Sequence, residues 1–133
     1  MNKTHINRYW GEKILEWCID NLGESKYHNT SPNLVVYIKR TKDQHYKDKD
    51  TLGYFDEDIN TIVVFAKKHK SFNSFIGTII HEYTHYKQNI IGRYNKLLQK
   101  SDYISHPFEV EARENEEKYV KECRDYLNSL KNL

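Results

Sequence analysis

The chain has little of what several specialised protein classes require. Of its 133 residues, two are cysteine, two proline, five glycine and one methionine. Cys18 and Cys123 stand far apart and neither belongs to a CxxC pair, so a thiolate zinc site is not indicated, and nothing in the sequence supports a disulfide between them. They are expected as buried free thiols on apolar helix faces. The scarcity of proline and glycine excludes collagen-like repeats and flexible linkers. No apolar run approaches the roughly 18 residues that span a bilayer. The opening MNKTHINRYW lacks an apolar core and a small-residue cleavage site, so no signal peptide is expected. An excess of one charge is also missing: 21 Lys and Arg stand against 19 Asp and Glu, for a formal charge of +2. That balance points away from nucleic acid and from membrane surfaces. Lys67, Lys68 and Lys70 form the one basic cluster, expected to be a solvated loop. The expected setting is cytoplasmic, and the expected state a monomer.

Aromatic residues, by contrast, are plentiful. Eleven Tyr, five Phe and two Trp are far more than a disordered chain carries. The length suits a single domain over residues 1–133, large enough to bury a core of its own. Ile6, Trp10, Ile14, Trp17, Cys18 and Leu22 recur at helical spacing, predicting an amphipathic helix over residues 5–22 closed by Gly23. Residues 34–38 (LVVYI) read as a strand. Residues 39–50 read as a charged loop. Two short strands around the polar turn at 56–60 then predict a hairpin whose second strand is 61–65.

From Phe72 the apolar period changes to that of a helix. Phe72, Phe75, Ile76, Ile79, Ile80, Tyr83, Tyr86 and Ile90 line one face, with Ser71 or Asn73 as cap and Gly92 as stop. Pro107 suits the first turn of a last helix. There Phe108, Ala112, Tyr119, Cys123, Leu127 and Leu130 form the apolar stripe. The order of elements predicts an α+β domain, a small sheet flanked by helices.

Chemistry concentrates in the helix that starts near Phe72. It contains His81-Glu82-Tyr83-Thr84-His85, the HExxH pattern. Residues four apart on a helix differ by about 40° of rotation and one turn of rise, so both imidazoles project to one side. Each can give one nitrogen to a single zinc ion. Glu82 lies one step aside, where it can reach a metal-bound water as a general base without taking a metal position. A surface cluster of intrahelical polar pairs is the bland alternative.

A catalytic zinc takes three protein ligands and keeps one position open. The third ligand is sought at the start of the last helix, in His106-Pro-Phe-Glu109-Val-Glu111-Ala112. Glu109 lies about 60° from the stripe centred on Ala112 and Glu111 about 100° away on the other flank. They cannot both reach one metal. Glu109 is preferred because small Ala112 lets the two helices approach closely. Glu111 and His106 remain the alternatives, and Glu114, Glu116, Glu117 and Glu122 read as a solvated face.

The order of strand, Gly53-Tyr54 hairpin, HExxH helix and later ExEA helix resembles the gluzincins, small zinc metallopeptidases with a glutamate third ligand. The pattern is nearest to the minimal and ImmA/IrrE-like types, although the Asn-x-Phe-Ala run common in the latter is replaced here by Arg113-Glu114-Asn115-Glu116. The resemblance spans about residues 33–127. It implies a zincin-like fold with a mostly antiparallel sheet, zinc held by His81, His85 and Glu109, and Glu82 as base. It also implies a peptide or protein as the substrate. Without a helix-turn-helix segment, no attached DNA-binding function is implied.

Under that reading strand 61–65 is expected at the sheet edge above the zinc, offering its backbone to an extended peptide. Tyr103 is a candidate donor to the developing oxyanion. His28, His45 and His69, in polar surroundings, are expected to be solvated. The competing reading from another class is a catalytically silent, zinc-stabilised interaction or inhibitor module of phage or mobile-element origin. A variant of the peptidase reading takes His106 as third ligand, as in SprT-like proteins.

Overall fold

A computed structural model describes residues 1–88 and 106–132. The described chain is α+β, with a three-stranded sheet and three α-helices. Helix α1 (Arg8–Leu22) follows a short 3-10 turn and is capped by Asn7, whose side chain accepts from the Trp10 amide. Its C-terminal carbonyls are not left to water. Tyr83 Oη donates to the Gly23 carbonyl at 2.6 Å and the Lys87 ammonium donates to that of Leu22. Two carbonyls at the end of the first helix are thereby satisfied by side chains of the second, which ties the two helices together at that point.

Strands β1 (Asn33–Tyr37), β2 (Gly53–Asp56) and β3 (Thr61–Phe65) lie in the order β1-β3-β2. β2 and β3 form the expected antiparallel hairpin, while β1 pairs with β3 in parallel. Two expectations are corrected here. The sheet is mixed, one parallel and one antiparallel pair, rather than mostly antiparallel. Strand 61–65 is central rather than at the edge, and the edge beside the hairpin is β2. The reason is burial on both faces. Leu34, Val36, Ile62, Val64 and Phe55 face the helices and join the main core. On the other face Phe65 packs against Tyr37, Tyr46 and Tyr54, with the Lys68 ammonium over the Tyr46 and Phe65 rings. All five residues of β3 are buried. A strand covered on both faces suits the centre of a sheet, and here β1 pairs with one edge of β3 and β2 with the other.

The hairpin turn holds Asn60 at φ 47, a left-handed conformation that asparagine tolerates. Its carbonyl accepts from the Asn33 amide, and its side-chain amide donates to the Thr30 carbonyl, which joins the turn to the start of β1.

Helix α2 (Phe72–Lys87) begins at Ser71, whose hydroxyl accepts from the Ser74 amide at 3.1 Å. It is buried on nearly every side, lying against α1, the sheet and α3. Helix α3 (Pro107–Lys131) starts with Pro107 in its first turn and His106 as cap, the imidazole Nδ1 accepting from the Phe108 amide at 3.1 Å. The expected stripe is present at Ala112, Cys123 and Leu127, all fully buried. Cys18 and Cys123 are buried free thiols, and burial raises the pKa of each. Among the described residues no helix is long and apolar enough to cross a membrane. The expected stop at Gly92, the face position Ile90 and the candidate donor Tyr103 lie outside the described residues.

Candidate metal centre

The middle of α2 and the start of α3 meet around three side chains. His85 Nε2 is 2.9 Å from Glu109 Oε1, and His81 Nε2 is 3.1 Å from Glu109 Oε2. The two rings stand nearly perpendicular, their centroids 5.0 Å apart. One ligand atom from each residue lies within 4.8 Å of the others, so this group could hold a metal ion. Local sequence explains the convergence. One turn of helix separates the two histidines, and fully buried Ala112, one turn beyond Glu109, lets α3 approach α2.

The second nitrogen of each ring is also engaged. His81 Nδ1 is 3.1 Å from Glu116 Oε1, and His85 Nδ1 is 2.7 Å from Gln88 Oε1. Both partners are acceptors in this arrangement, so each ring carries its proton on Nδ1 when it gives the Nε2 lone pair to a cation. Gln88 is itself fixed, since its amide donates to the Phe108 carbonyl and to Glu111 Oε1.

The electrostatics follow from this crowding. Burial disfavours a charge on His81, but its hydrogen bonds to Glu109 and Glu116 outweigh burial and raise its pKa to about 10. His85 is raised too: burial opposes the charge, and the bond to Glu109 prevails. Burial pushes Glu109 upward, yet the two imidazoles hold its carboxyl far below the usual carboxylate range. Without a cation, Glu109 is thus an anion bracketed by imidazolium donors. Glu82, 8% exposed, makes no hydrogen bond among the described residues. Burial raises its carboxyl to about 7, against the pull of His85 and His81.

The group lies in a cleft of about 680 Å³ lined by α2, α3, β2 and the loop before β2. Gly53, Tyr54 and Phe55 of β2 form one wall; Glu82 and Thr78 form another. Tyr54 Oη donates to Asp43 Oδ2 at 2.5 Å, and the His45 ring lies 4.2 Å from the Tyr54 ring. Lys68 donates to the carbonyls of Asp48 and Thr51, tethering the loop that rims the cleft.

His81, His85, Glu82 and Glu109 are therefore brought together as the sequence predicts. Glu111 is exposed and bonded to Gln88. His106 is fully buried as the cap of α3. Neither is part of the three-residue group. Three sequence readings are corrected. Glu116 is not simply solvated, because it reaches His81. The 109, 112, 116, 119, 123 spacing puts Glu116 on one helix face with Glu109, but what singles it out from its neighbours is its contact with α2. His69 is buried, with Nδ1 2.8 Å from Ser74 Oγ and its ring against Phe75, because the turn into α2 folds it inward. His28 is half-buried, stacked on Tyr86. His45 is exposed as expected. Comparison with known proteins finds no matching family model, no matching curated protein and no matching solved structure.

Proposed function

We propose that the protein is a zinc-dependent endopeptidase, with His81, His85 and Glu109 as metal ligands and Glu82 as general base. One observation carries this reading. Two Nε2 atoms converge on one buried carboxylate while a second buried carboxylate, without a hydrogen-bond partner among the described residues, lines the same cleft. The donor set suits zinc. Ligand atoms of a tetrahedral site with bonds of about 2.0–2.1 Å stand about 3.4 Å apart. The observed 2.9 and 3.1 Å run to two different oxygens of Glu109, and one atom from each residue lies within 4.8 Å of the others, so side-chain adjustment around the ion would bring the three to that spacing. A purely structural zinc site would fill its fourth position with another ligand, and among the described residues the group has three members.

Zinc bound here would polarise a scissile carbonyl and acidify a water. The chain's own residues do the rest. Glu82 sits in the helical step next to His81, aimed into the cleft, and can accept the proton of an attacking water and return it to the leaving amine. Glu116 and Gln88 hold the two imidazoles in register. The substrate is a peptide, captured by strand addition on β2. The Phe65 amide donates to the Leu52 carbonyl at 3.0 Å. By antiparallel alternation, Leu52, Tyr54 and Asp56 face β3, leaving the N–H and C=O of Gly53 and Phe55 at the open edge. An extended peptide pairing there lies along the wall of the cleft.

The test is metal analysis with a peptide-library digest of wild type and Glu82→Gln. Glu82→Gln keeps its shape but accepts no proton, so zinc should remain at about one per chain while cleavage falls by roughly two orders of magnitude or more. Wild type with stoichiometric zinc that cleaves nothing would favour the silent interaction module. Full zinc occupancy in a His81→Ala/His85→Ala variant would end the metal reading altogether.

A further inference from the structure

We propose that Glu116 is a positioning residue of the metal centre, holding the His81 ring so that Nε2 faces Glu109, and that Gly77 is the space left for it. The inference rests on the metal-site reading above and adds what aims its first histidine. Two independent observations support it. Glu116 Oε1 lies 3.1 Å from His81 Nδ1, so the carboxylate accepts that N–H and leaves the Nε2 lone pair for a cation. Separately, a Cβ on Gly77 would lie 3.0 Å from Glu116 Cγ and 3.0 Å from its Oε2. Gly77 is one turn before His81 on α2, so the Glu116 side chain crosses the helix through the gap that the missing Cβ leaves. Glycine inside a helix costs about 1 kcal/mol relative to alanine, and this contact accounts for it.

The neighbouring contacts fix the approach. Asn115 Nδ2 donates to Thr84 Oγ1 at 3.2 Å, and Ala112 is fully buried between the helices. Together they set the rotation of α3 that turns residue 116 toward α2. The two histidines are then held unequally, His85 by the neutral amide of Gln88 and His81 by a carboxylate. A charged acceptor strengthens the hydrogen bond and makes the imidazole a better electron donor through its other nitrogen. The centre thus carries one tunable ligand, and its partner is 42% exposed at the rim of the cleft.

The test measures zinc affinity by competition with a chromophoric chelator for wild type, Glu116→Ala, Glu116→Gln and Gly77→Ala. In parallel, side-chain nitrogen NMR of the zinc-loaded proteins follows the two Nδ1–H protons. Glu116→Ala should weaken zinc binding about 10–100-fold, and Glu116→Gln, which keeps an acceptor oxygen, should fall between it and wild type. Gly77→Ala should weaken binding in the same direction with every charge intact. The His81 Nδ1–H signal should lose its protection from exchange in Glu116→Ala while that of His85 stays. A merely structural role would move the melting temperature but not this single proton. Zinc affinity within twofold of wild type in Glu116→Ala, or an unchanged His81 proton, would overturn the proposal and leave the metal site standing. Wild type that binds no zinc would overturn the metal reading and this proposal together.

Discussion

Replacing Glu109 by alanine separates the metal centre from every neighbouring carboxylate. Glu109 is 3% exposed and takes a hydrogen bond from each of two imidazoles, that of His85 buried and that of His81 partly so. Removing one partner of a buried charged pair costs about 3–5 kcal/mol. The lower end applies here, because His81 and His85 can lose their protons once the anion is gone, so about 3 kcal/mol is expected. In zinc the loss compounds. At a thousandfold excess over its Kd, a ligand stabilises the folded state by about 4 kcal/mol. Loss of a direct ligand should weaken binding at least as much as loss of an outer partner, ~100-fold, which removes about 2.7 kcal/mol of that gain. Glu111→Ala is the control. Glu111 is exposed and reaches His85 only through Gln88, so less than about 1 kcal/mol is expected from its removal. Urea unfolding with a chelator, and again with excess zinc, measures both effects on one protein. If Glu111→Ala loses as much zinc stabilisation as Glu109→Ala, the assignment of the third ligand is refuted.

Gly53→Ala should destabilise by about 2–3 kcal/mol and lower the melting temperature by roughly 6–12 °C, because the new Cβ would stand 2.6 Å from the Val63 carbonyl oxygen and 2.9 Å from Thr78 Cγ2. A thermal melt within 2 °C of wild type would contradict that packing. Burial depresses His69 from 6.5 to about 4, so it favours the folded state as a neutral ring. That contribution is complete above pH 6.5 and is lost as pH falls through 4. Relative to His69→Asn, wild type should therefore lose about 3 kcal/mol between those values, and parallel stability curves would refute it. Because His81 is held protonated at neutral pH without metal, zinc uptake at pH 7 should release at least one proton. Calorimetric heats identical across buffers of different ionisation enthalpy would exclude that release.

What could be read from the sequence followed from local periodicity. HExxH on a helix places both imidazoles on one side whatever surrounds them, and Pro107 marks a helix start through its own missing N–H. Glu109 was reachable because the face it shares with Ala112 is a property of one helix. The misread features are all tertiary. TIVVF at 61–65 suits an edge strand or a central one, and only the cover supplied by Tyr46 and the remote pairing with β1 decide. His69 looks solvated beside lysines until the turn into α2 closes over it. Glu116 sits among five other glutamates on α3, and its distinction lies on another helix, in the absence of a side chain at Gly77.

The division of the centre between two helices has a consequence for the order of events in the cell. His81 and His85 emerge from the ribosome before Glu109 and Glu116, and the four meet only when α3 docks on α2. Chains fold during synthesis from the N-terminal side at about 5–20 residues per second. Residues 1–88 can therefore collapse around Ile79, Ile80 and Tyr83 for several seconds with the histidine pair formed and its carboxylate partner still to come. The nascent chain carries half a centre, and whatever chemistry the complete one performs is withheld until α3 has been made and docked.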